Sequence, residues 1–192
     1  MQVKKLNQEL VSVVINCHNG EDYLRLAIDS VYGQIYQNWE IVLWDNASTD
    51  ESAQIANSYD SKLKYYYNEE LISLGNARNR AISKCIGEYI AFLDCDDKWT
   101  PSKLESQVYA FKDNKVGLVY TLAENHNTKA AYNEKVTSIG IQDLINNYDI
   151  SMSSAMLRKR HLLEVGGVFD ILLNQAEEYD LFMRKRKTTK TL

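Results

Sequence analysis

The chain of 192 residues is poor in the residues that build disulfide frameworks and zinc sites. Its three cysteines, Cys17, Cys85 and Cys95, are an odd number without CxxC spacing, which favours free thiols in a reducing compartment. Cys95 has acidic neighbours on both sides that disfavour its thiolate, so we interpret it as a small buried spacer. Only three histidines occur, and His18 has no second histidine nearby, which excludes a catalytic zinc site there.

Long apolar runs and an excess of basic residues are also missing. No stretch approaches the roughly 18 apolar residues of a membrane-spanning helix, and the N-terminal segment MQVKKLNQEL lacks the continuous apolar region of a signal peptide. Lys and Arg number 22 against 26 Asp and Glu, and the net charge of −4 gives no support for nucleic-acid binding. These absences predict a cytoplasmic protein without a nucleic-acid partner.

The bulk composition predicts one globular domain over residues 1–192. A hydrophobic content of 45% in a chain of this length is enough to bury a real core. The only proline is Pro101, and neither an internal repeat nor a low-complexity linker marks a domain boundary.

Strand and helix patterns alternate along the chain. Short runs of β-branched and aromatic residues predict strands at 11–15, 40–44, 63–67, 89–93 and 116–120. Apolar residues recur at helical spacing in two stripes, Leu24, Ile28, Val31 and Ile35, and Leu104, Val108 and Phe111. The alternation predicts an α/β fold in which one mostly parallel, Rossmann-like sheet carries helices on both faces. Such sheets bind ligands beyond the carboxyl ends of their strands.

Polar residues are concentrated where that rule places a binding site. Residues 16–20 follow the first predicted strand, residues 45–50 the second and residues 94–97 the fourth. Because parallel strands end at the same edge of a sheet, the three clusters are expected to lie side by side. We therefore predict one site there in preference to three unrelated solvated turns.

Three carboxylates, Asp94, Asp96 and Asp97, follow the apolar run at 90–93. Carboxylates this close together at the end of a buried strand favour a bound cation. A calcium-binding EF-hand loop is excluded, because Lys98 stands where a fifth-position oxygen ligand would be needed. Mg²⁺ or Mn²⁺ suits the site better, since either ion completes its shell with waters and substrate phosphates. The alternative is a solvated acidic turn.

Other polar residues at this edge have two interpretations each. The Asp45 carboxylate can accept a hydrogen bond from the imide N–H of uracil, thymine or guanine, or Asp45 or Asp50 can simply cap the following helix. His18 can stack on a base or line its loop. The segment at 74–80 opens a helix whose free N–H groups and arginines, Arg78 among them, favour an anion, although ordinary surface arginines fit equally well.

Acidic residues near the C-terminus provide a candidate general base. On a helix, Glu177 and Asp180 lie near one face, whereas Glu178 projects towards Leu181 and Phe182. A carboxylate beside apolar groups can have a raised pKa and accept a proton from a substrate. The alternative is that these acids only complement the helix dipole.

Five stretches, at 11–20, 40–52, 74–82, 88–105 and 156–184, resemble in order the family 2 inverting glycosyltransferases with the GT-A fold. The resemblance covers most of residues 10–185. The chain ends eight residues after Arg184, whereas relatives usually continue, so it is either a short family member or a truncated product.

The resemblance implies roles for individual residues. Asn16, His18 and Asp45 are expected at the nucleotide base. Asp94 and Asp96 form the DxD pair, in which Asp96 binds the metal and Asp94 faces the ribose or the metal. This chain has Asn16-Cys17-His18-Asn19 where the family commonly has Pro-Thr-Tyr-Asn, which changes the residues available for base stacking.

The acceptor half of the predicted site follows from the same resemblance. Ser153 and Ser154 are expected close to the transferred sugar. Glu178 stands where the family usually has the aspartate of a Glu-Asp pair, and it is the expected catalytic base with a side chain one methylene longer.

The function that the resemblance implies is metal-dependent transfer of a sugar, with inversion, from a nucleoside diphosphate sugar, expected to be a UDP-sugar. The acceptor is a hydroxyl in surface glycan or polysaccharide biosynthesis, on a glycan or a lipid-linked intermediate. The basic segment 184–190 suggests peripheral contact with anionic lipid. A catalytically silent nucleotide-sugar-binding domain remains the alternative, and a sugar-phosphate nucleotidyltransferase is disfavoured because the first loop contains only Gly20.

Overall fold

The computed structural model describes residues 9–114, 116–121, 150–164, 169–170, 180–181 and 190–191, and strands and helices alternate along them. The strands are β1 (Val11–Cys17), β2 (Trp39–Asn46), β3 (Leu63–Asn68), β4 (Tyr89–Asp94), β5 (Val116–Tyr120), β6 (Ala155–Arg158) and β7 (Lys190–Thr191). The helices are α1 (Leu24–Tyr32), α2 (Ser52–Asn57), α3 (Leu74–Lys84), α4 (Lys103–Ala110) and α5 (Lys159–Glu164), and a 3₁₀ turn spans Met152–Ser154. The five predicted strands are therefore confirmed.

The described strands form one sheet in the order β3-β2-β1-β4-β6-β5-β7. The first four strands in that order are parallel, and β6 runs antiparallel to both β4 and β5. After β1, strand β2 pairs with one side of β1, and β3 pairs with the far side of β2. The chain then crosses back, and β4 pairs with the other side of β1. The carboxyl ends of β1 and β4 thus flank the point where the strand order reverses, which is where open α/β sheets form a ligand crevice.

Alternating side chains of the strands enter two cores, one on each face of the sheet. On one face, Val13 and Ile15 pack in the cluster that contains residues of α1, α2 and α4. On the other face, Val14 packs in the cluster that contains residues of α3 and α5. Because side chains of a strand point to opposite faces in turn, this pattern requires helices on both sides of the sheet. The predicted α/β arrangement is confirmed.

The predicted stripe of α1 is wrong at its last position. The helix ends at Tyr32, and Ile35 lies beyond it with 57% of its surface exposed. Ala27 is buried in its place, beside Leu24, Ile28 and Val31. Within the described ranges, no helix has both the length and the apolar character needed to cross a membrane.

A buried acid ties the amino ends of the strands together. Glu40 is 5% exposed, and its Oε1 accepts hydrogen bonds from Ser12 Oγ at 2.6 Å and from the Ile86 amide at 2.9 Å. Its Oε2 accepts a hydrogen bond from Lys64 Nζ at 2.6 Å. Burial opposes ionisation of Glu40, but these hydrogen bonds outweigh it and hold the Glu40 pKa below its ordinary value.

A buried arginine fixes the antiparallel strand β6. Arg158 is 4% exposed, and its Nε donates to the Val116 carbonyl at 2.9 Å while Nη2 donates to the Phe111 carbonyl. Its Nη1 lies 3.3 Å from the Tyr89 hydroxyl. Since β6 directly follows the 3₁₀ turn, Arg158 also fixes the position of that turn beside β4.

Candidate functional site

The last residues of β1 and β4 face each other where the strand order reverses. Asn16 and Asp94 are paired in the register of these two strands. Among the described residues, the buried side-chain nitrogen Nδ2 of Asn16 has no hydrogen-bond partner. An unsatisfied buried donor costs about 1–3 kcal/mol, so a ligand with a suitably placed acceptor would be stabilised there.

Asp94 is held from both sides. Arg78 Nη2, on α3, donates to Asp94 Oδ1 at 3.2 Å, and Ser153 Oγ donates to Asp94 Oδ2 at 3.2 Å. The Ser153 hydroxyl also accepts the Asp94 backbone N–H at 3.0 Å. The Arg78 side chain is 5% exposed, whereas that of Asp94 is 39% exposed. Arg78 therefore fixes the Asp94 carboxylate in this arrangement, and its contact with a nucleotide stays a prediction.

A buried network behind Ser153 positions the 3₁₀ turn, and sequence reasoning missed it. Trp99 Nε1 donates to the Ser153 carbonyl at 2.8 Å, and Gln107 Nε2 donates to the Ser154 carbonyl at 2.8 Å. Lys103 Nζ lies 2.6 Å from Gln107 Oε1 and 4.1 Å from the centre of the Trp99 ring. Burial lowers the Lys103 pKa to about 7. The available signal was the helical spacing of four between Lys103 and Gln107.

The acidic turn after β4 fits one kind of metal site. Asp96 is exposed and Asp94 is partly exposed, so both can reach a ligand in the crevice. In the described part of the chain, no group of three or more His, Cys, Asp or Glu side chains could hold a metal alone. Mg²⁺ and Mn²⁺ do not require such a cage, because they bind through one or two carboxylates together with substrate phosphates. The residues therefore fit an ion that is shared with a diphosphate.

Asp45 lies inside the structure. It is 0% exposed, its Oδ1 accepts the Ser48 amide at 2.8 Å, and its Oδ2 accepts the Tyr65 hydroxyl at 2.7 Å. The bond to Ser48 closes a turn in the loop and does not cap α2, which begins at Ser52, so the helix-capping alternative does not apply to Asp45. A base can approach this carboxylate only if Tyr65 or Ser48 moves, and base recognition by Asp45 stays a prediction.

The loops after β1 and β2 are joined by hydrogen bonds. His18 Nδ1 is 2.8 Å from the Asn46 carbonyl oxygen, and the Glu21 amide donates to Asp50 Oδ2 at 2.9 Å. Asp50 Oδ1 also accepts the Ser52 amide at 3.0 Å, so Asp50 satisfies the backbone N–H of the first residue of α2. The contact through Nδ1 fixes the His18 ring. Because His18 is exposed, the rest of the ring is available to a ligand.

Two cysteines meet beside the predicted nucleotide and metal residues. The Cys17 and Cys95 sulfurs both lie beside Gly20, and the interaction with Cys95 lowers the Cys17 pKa to about 7. The same interaction is the largest cause that raises the pKa of Cys95, followed by burial. The sequence predicted a disfavoured Cys95 thiolate from its flanking acids, and the charge of Asp96 does raise the Cys95 pKa, but the sequence did not pair Cys95 with Cys17.

The predicted catalytic base lies outside the described residues, as does Glu177. Downstream of Glu178, Leu181 is described and is fully buried in the core on the α3 face. Ser153 and Ser154 are 8% and 4% exposed. In this arrangement the Ser153 hydroxyl contacts Asp94, and a contact with a sugar stays a prediction.

Proteins of related sequence are glycosyltransferases. Residues 12–167 match the family model described as glycosyl transferase family 2. An uncharacterized glycosyltransferase of Rickettsia typhi is 32% identical over 187 residues, which is 91% of this chain and 58% of that protein. The UDP-Glc:alpha-D-GlcNAc-diphosphoundecaprenol beta-1,3-glucosyltransferase WfgD of Escherichia coli is 32% identical over 148 residues, 71% of this chain and 58% of that enzyme. The chain spans little more than half the length of these relatives.

Solved structures share the fold. S. aureus TarS has a TM-score of 0.81 over 95% of this chain and 35% of its own, at 22% identity. The mannosyltransferase PcManGT of Pyrobaculum calidifontis, solved with GDP-Man and Mn²⁺, has a TM-score of 0.76 at 19% identity and covers 95% of this chain and 53% of its own. The expected GT-A fold is thereby confirmed. The family model covers most of the chain, and the protein belongs to glycosyl transferase family 2.

Proposed function

We propose that this chain binds a nucleoside diphosphate sugar, with UDP as the expected nucleotide, and transfers the sugar with inversion to an acceptor hydroxyl. The observation that carries the proposal is the geometry at the end of β4, where Arg78 and Ser153 fix the Asp94 carboxylate beside Asn16, whose side-chain nitrogen Nδ2 has no hydrogen-bond partner among the described residues. Family membership supports the reaction class. TarS solved with UDP-GlcNAc, with a TM-score of 0.79, supports a donor of this class on the same fold.

The donor nucleotide is bound between the ends of β1 and β4. Asn16 donates through its free Nδ2 to an oxygen acceptor, and the exposed His18 contacts the base. Asp94, which is fixed but 39% exposed, accepts a hydrogen bond from the ribose or contributes to ion binding. Arg78 lies behind Asp94 and adds positive charge on the side where the diphosphate binds.

Asp96 and Asp94 would hold Mg²⁺ or Mn²⁺ together with the donor diphosphate. When bound, such an ion supplies positive charge that offsets the negative charge of the departing nucleoside diphosphate. This role matches the exposed position of Asp96 in a turn that follows a buried strand.

Glu178 is the proposed catalytic base. Its carboxylate takes the proton from the acceptor hydroxyl as the acceptor oxygen attacks the anomeric carbon. A bond forms between that oxygen and the anomeric carbon, and the bond from the anomeric carbon to the diphosphate oxygen breaks on the opposite side. Because attack and departure occur on opposite faces of the sugar, the anomeric configuration inverts.

The proposed acceptor is a glycan or a lipid-linked glycan intermediate. The printed name of WfgD specifies a diphosphoundecaprenol-linked acceptor, which supports this class for a chain 32% identical to it. The segment 184–190 carries Lys and Arg residues that would favour peripheral contact with an anionic lipid surface.

Metal-dependent donor binding is tested by thermal unfolding with UDP, with and without Mn²⁺. Ligand binding to the native state alone stabilises it by about 2.7 kcal/mol at a hundredfold excess over Kd, so UDP with Mn²⁺ should raise the melting temperature and UDP with EDTA should not. Asp96→Asn should remove the metal-dependent shift. Asp97→Asn, a change of the neighbouring exposed acid, is the matched control. Equal stabilisation by UDP in EDTA would contradict the shared ion.

Base recognition by Asp45 is tested by comparing UMP with AMP and CMP. Asp45→Ala should weaken UMP binding by about 1.5–3 kcal/mol if the carboxylate accepts the imide N–H. Tyr65→Phe removes the internal hydrogen bond to Asp45 and leaves the carboxylate in place, so it should keep UMP binding. If the parent protein binds AMP and CMP as tightly as UMP, Asp45 does not recognise the base and only stabilises the turn.

The catalytic step is tested with Glu178→Gln and the matched control Glu177→Gln. Donor binding should persist in both variants, because the base faces the acceptor. Turnover should fall by roughly 10²–10⁴ in Glu178→Gln only, the usual contribution of a general base. Loss of transfer in Glu177→Gln alone would show that the catalytic base is Glu177 and not Glu178. A parent protein that binds UDP and transfers nothing would favour the catalytically silent domain.

A further inference from the structure

Two thiols that are far apart in sequence are neighbours in the structure. Cys17 ends β1, and Cys95 directly follows Asp94, the last residue of β4. These strands are adjacent and parallel, with Asn16 paired to Asp94, so Cys17 and Cys95 occupy the next position along each chain. Adjacent strands lie about 4.8 Å apart, within the Cα separation of roughly 4.4–6.8 Å that a disulfide spans.

The side chains of the two cysteines point to the same place. A Cβ atom built on Gly20 would lie 2.7 Å from Cys17 Sγ and 3.2 Å from Cys95 Sγ, so both sulfurs face this glycine. To form a disulfide, the two sulfurs must approach each other to about 2.05 Å. Gly20 leaves the room for that movement, because any larger residue would press on both sulfurs.

We propose that Cys17 and Cys95 form a redox-modification site, in which a small-molecule disulfide converts the two thiols to an intramolecular disulfide. Cys95 is partly exposed and Cys17 is 2% exposed, so the reagent meets Cys95 first. The thiolate form of Cys95, although it is the minor form, attacks one sulfur of the reagent, the reagent S–S bond breaks, and the small thiolate that leaves takes up the proton that Cys95 gave up. Cys17 then attacks the Cys95 sulfur and releases the second small thiol with its own proton. The cysteines are oxidised and the reagent is reduced to two thiols.

The modification acts on the candidate site, and this part of the inference rests on the proposed function. Cys95 lies between Asp94 and Asp96, and Cys17 lies between Asn16 and His18. Drawing the two sulfurs together therefore moves residues proposed to hold the nucleotide and the metal. The oxidised protein should bind UDP with Mn²⁺ about tenfold more weakly or worse, since displacements near 1 Å are costly in a preorganised site.

Disulfide formation is tested on the full chain with mixtures of oxidised and reduced glutathione. Remaining thiols are alkylated and the intact mass is measured. We expect the oxidised protein to lose two hydrogen atoms and to retain one alkylated thiol, Cys85, which is buried elsewhere and bonds to the Ala81 carbonyl. A reducing agent should restore three alkylated thiols. Three alkylated thiols at every glutathione ratio would overturn the proposal.

The cross-link is assigned in the Cys85→Ser background, because Cys85 and Cys95 occur on the same tryptic peptide. The linked pair should join the peptide of Cys17 to that of Cys95. In Cys17→Ser, Cys95 should keep a mixed disulfide with glutathione, since the second thiol is missing. A cross-link that instead requires Cys85 would overturn the proposal. The intact-mass measurement uses the parent chain, so it does not depend on how the variants fold.

The effect on the site is tested by titrating UDP with Mn²⁺ into the reduced and oxidised protein. We expect weaker binding after oxidation, full recovery with a reducing agent, and no oxidant response in Cys95→Ser, which lacks the thiol that the reagent meets first. Unchanged UDP affinity in a protein whose disulfide has formed would overturn the effect on the site. If the reduced parent binds no UDP, the proposed function fails, while the mass measurement still decides whether the redox site exists.

Discussion

The replacement of Glu40 by Gln tests whether one buried acid holds the amino ends of the strands together. Glu40 receives a hydrogen bond from Lys64 on β3 and others from Ser12 and Ile86. A Gln carbonyl can keep the Ser12 and Ile86 bonds, but its NH₂ group then faces the Lys64 ammonium. The variant therefore loses a hydrogen bond between charged groups, worth about 1.5–3 kcal/mol.

The environment of Lys64 limits the size of the effect. Breaking a fully buried ion pair costs about 3–5 kcal/mol, because one charge is left without a partner. The Lys64 side chain is 38% exposed and can turn into solvent, so the loss should lie near 2–3 kcal/mol. Urea denaturation measures the free energy of unfolding. Glu69→Gln, a change of an exposed acid, is the matched control and should stay within about 0.5 kcal/mol.

The difference between the parent and Glu40→Gln should depend on pH. The folded pKa of Glu40 is lowered from its ordinary value of 4.5, so the folded protein holds fewer protons than the unfolded chain in the intervening pH range. The stabilisation is complete above pH 4.5 and is lost as the pH falls through the folded pKa. A difference that stays constant from neutral pH to well below 4.5 would refute the reasoning.

Three further changes probe the turn, the strand and the loop around the site. Trp99→Phe removes the donor to the Ser153 carbonyl and should cost about 1–3 kcal/mol in denaturation, with weaker Mn²⁺-dependent UDP binding in a calorimetric titration. Unchanged UDP binding would show that Trp99 does not contribute to donor binding. Arg158→Met leaves the Val116 carbonyl without its donor and should destabilise by about 3 kcal/mol or more, and a loss under 1 kcal/mol by urea denaturation would contradict this. Ala47 has a φ of 63°, so Ala47→Gly should raise the free energy of unfolding by about 1 kcal/mol, and a lower melting temperature would contradict that expectation.

The fold class was readable from the sequence because local patterns fix it. Each strand prediction required only a short apolar run, and the run at Val116–Tyr120 matches β5 residue for residue. The polar clusters after these runs identified the edge that carries the site, since parallel strands end together. The error at Ile35 arose because helical spacing continues past the point where the helix stops at Tyr32.

Only the tertiary structure shows which side chains contact each other within the site. Periodicity placed Asp94 at the end of a strand, but it could not place Ser153 against it, because the two are 59 positions apart. The same limit hid the Cys17–Cys95 contact, which exists because β4 crosses back to pair with β1. Asp45 was readable as a polar strand end, whereas its burial depends on Tyr65 from the neighbouring strand.

The sequence by itself determined the alternation of elements, the two apolar faces of the sheet and the acidic turn, because these follow from the spacing of residues along a strand or helix. Only the tertiary structure decided that Arg78 and Ser153 donate hydrogen bonds to Asp94. It also decided that the thiols of Cys17 and Cys95 lie side by side. Contacts of this kind depend on which strands are neighbours and in what register. That choice is made by the packing of the whole sheet, and it leaves no periodic signal in the chain.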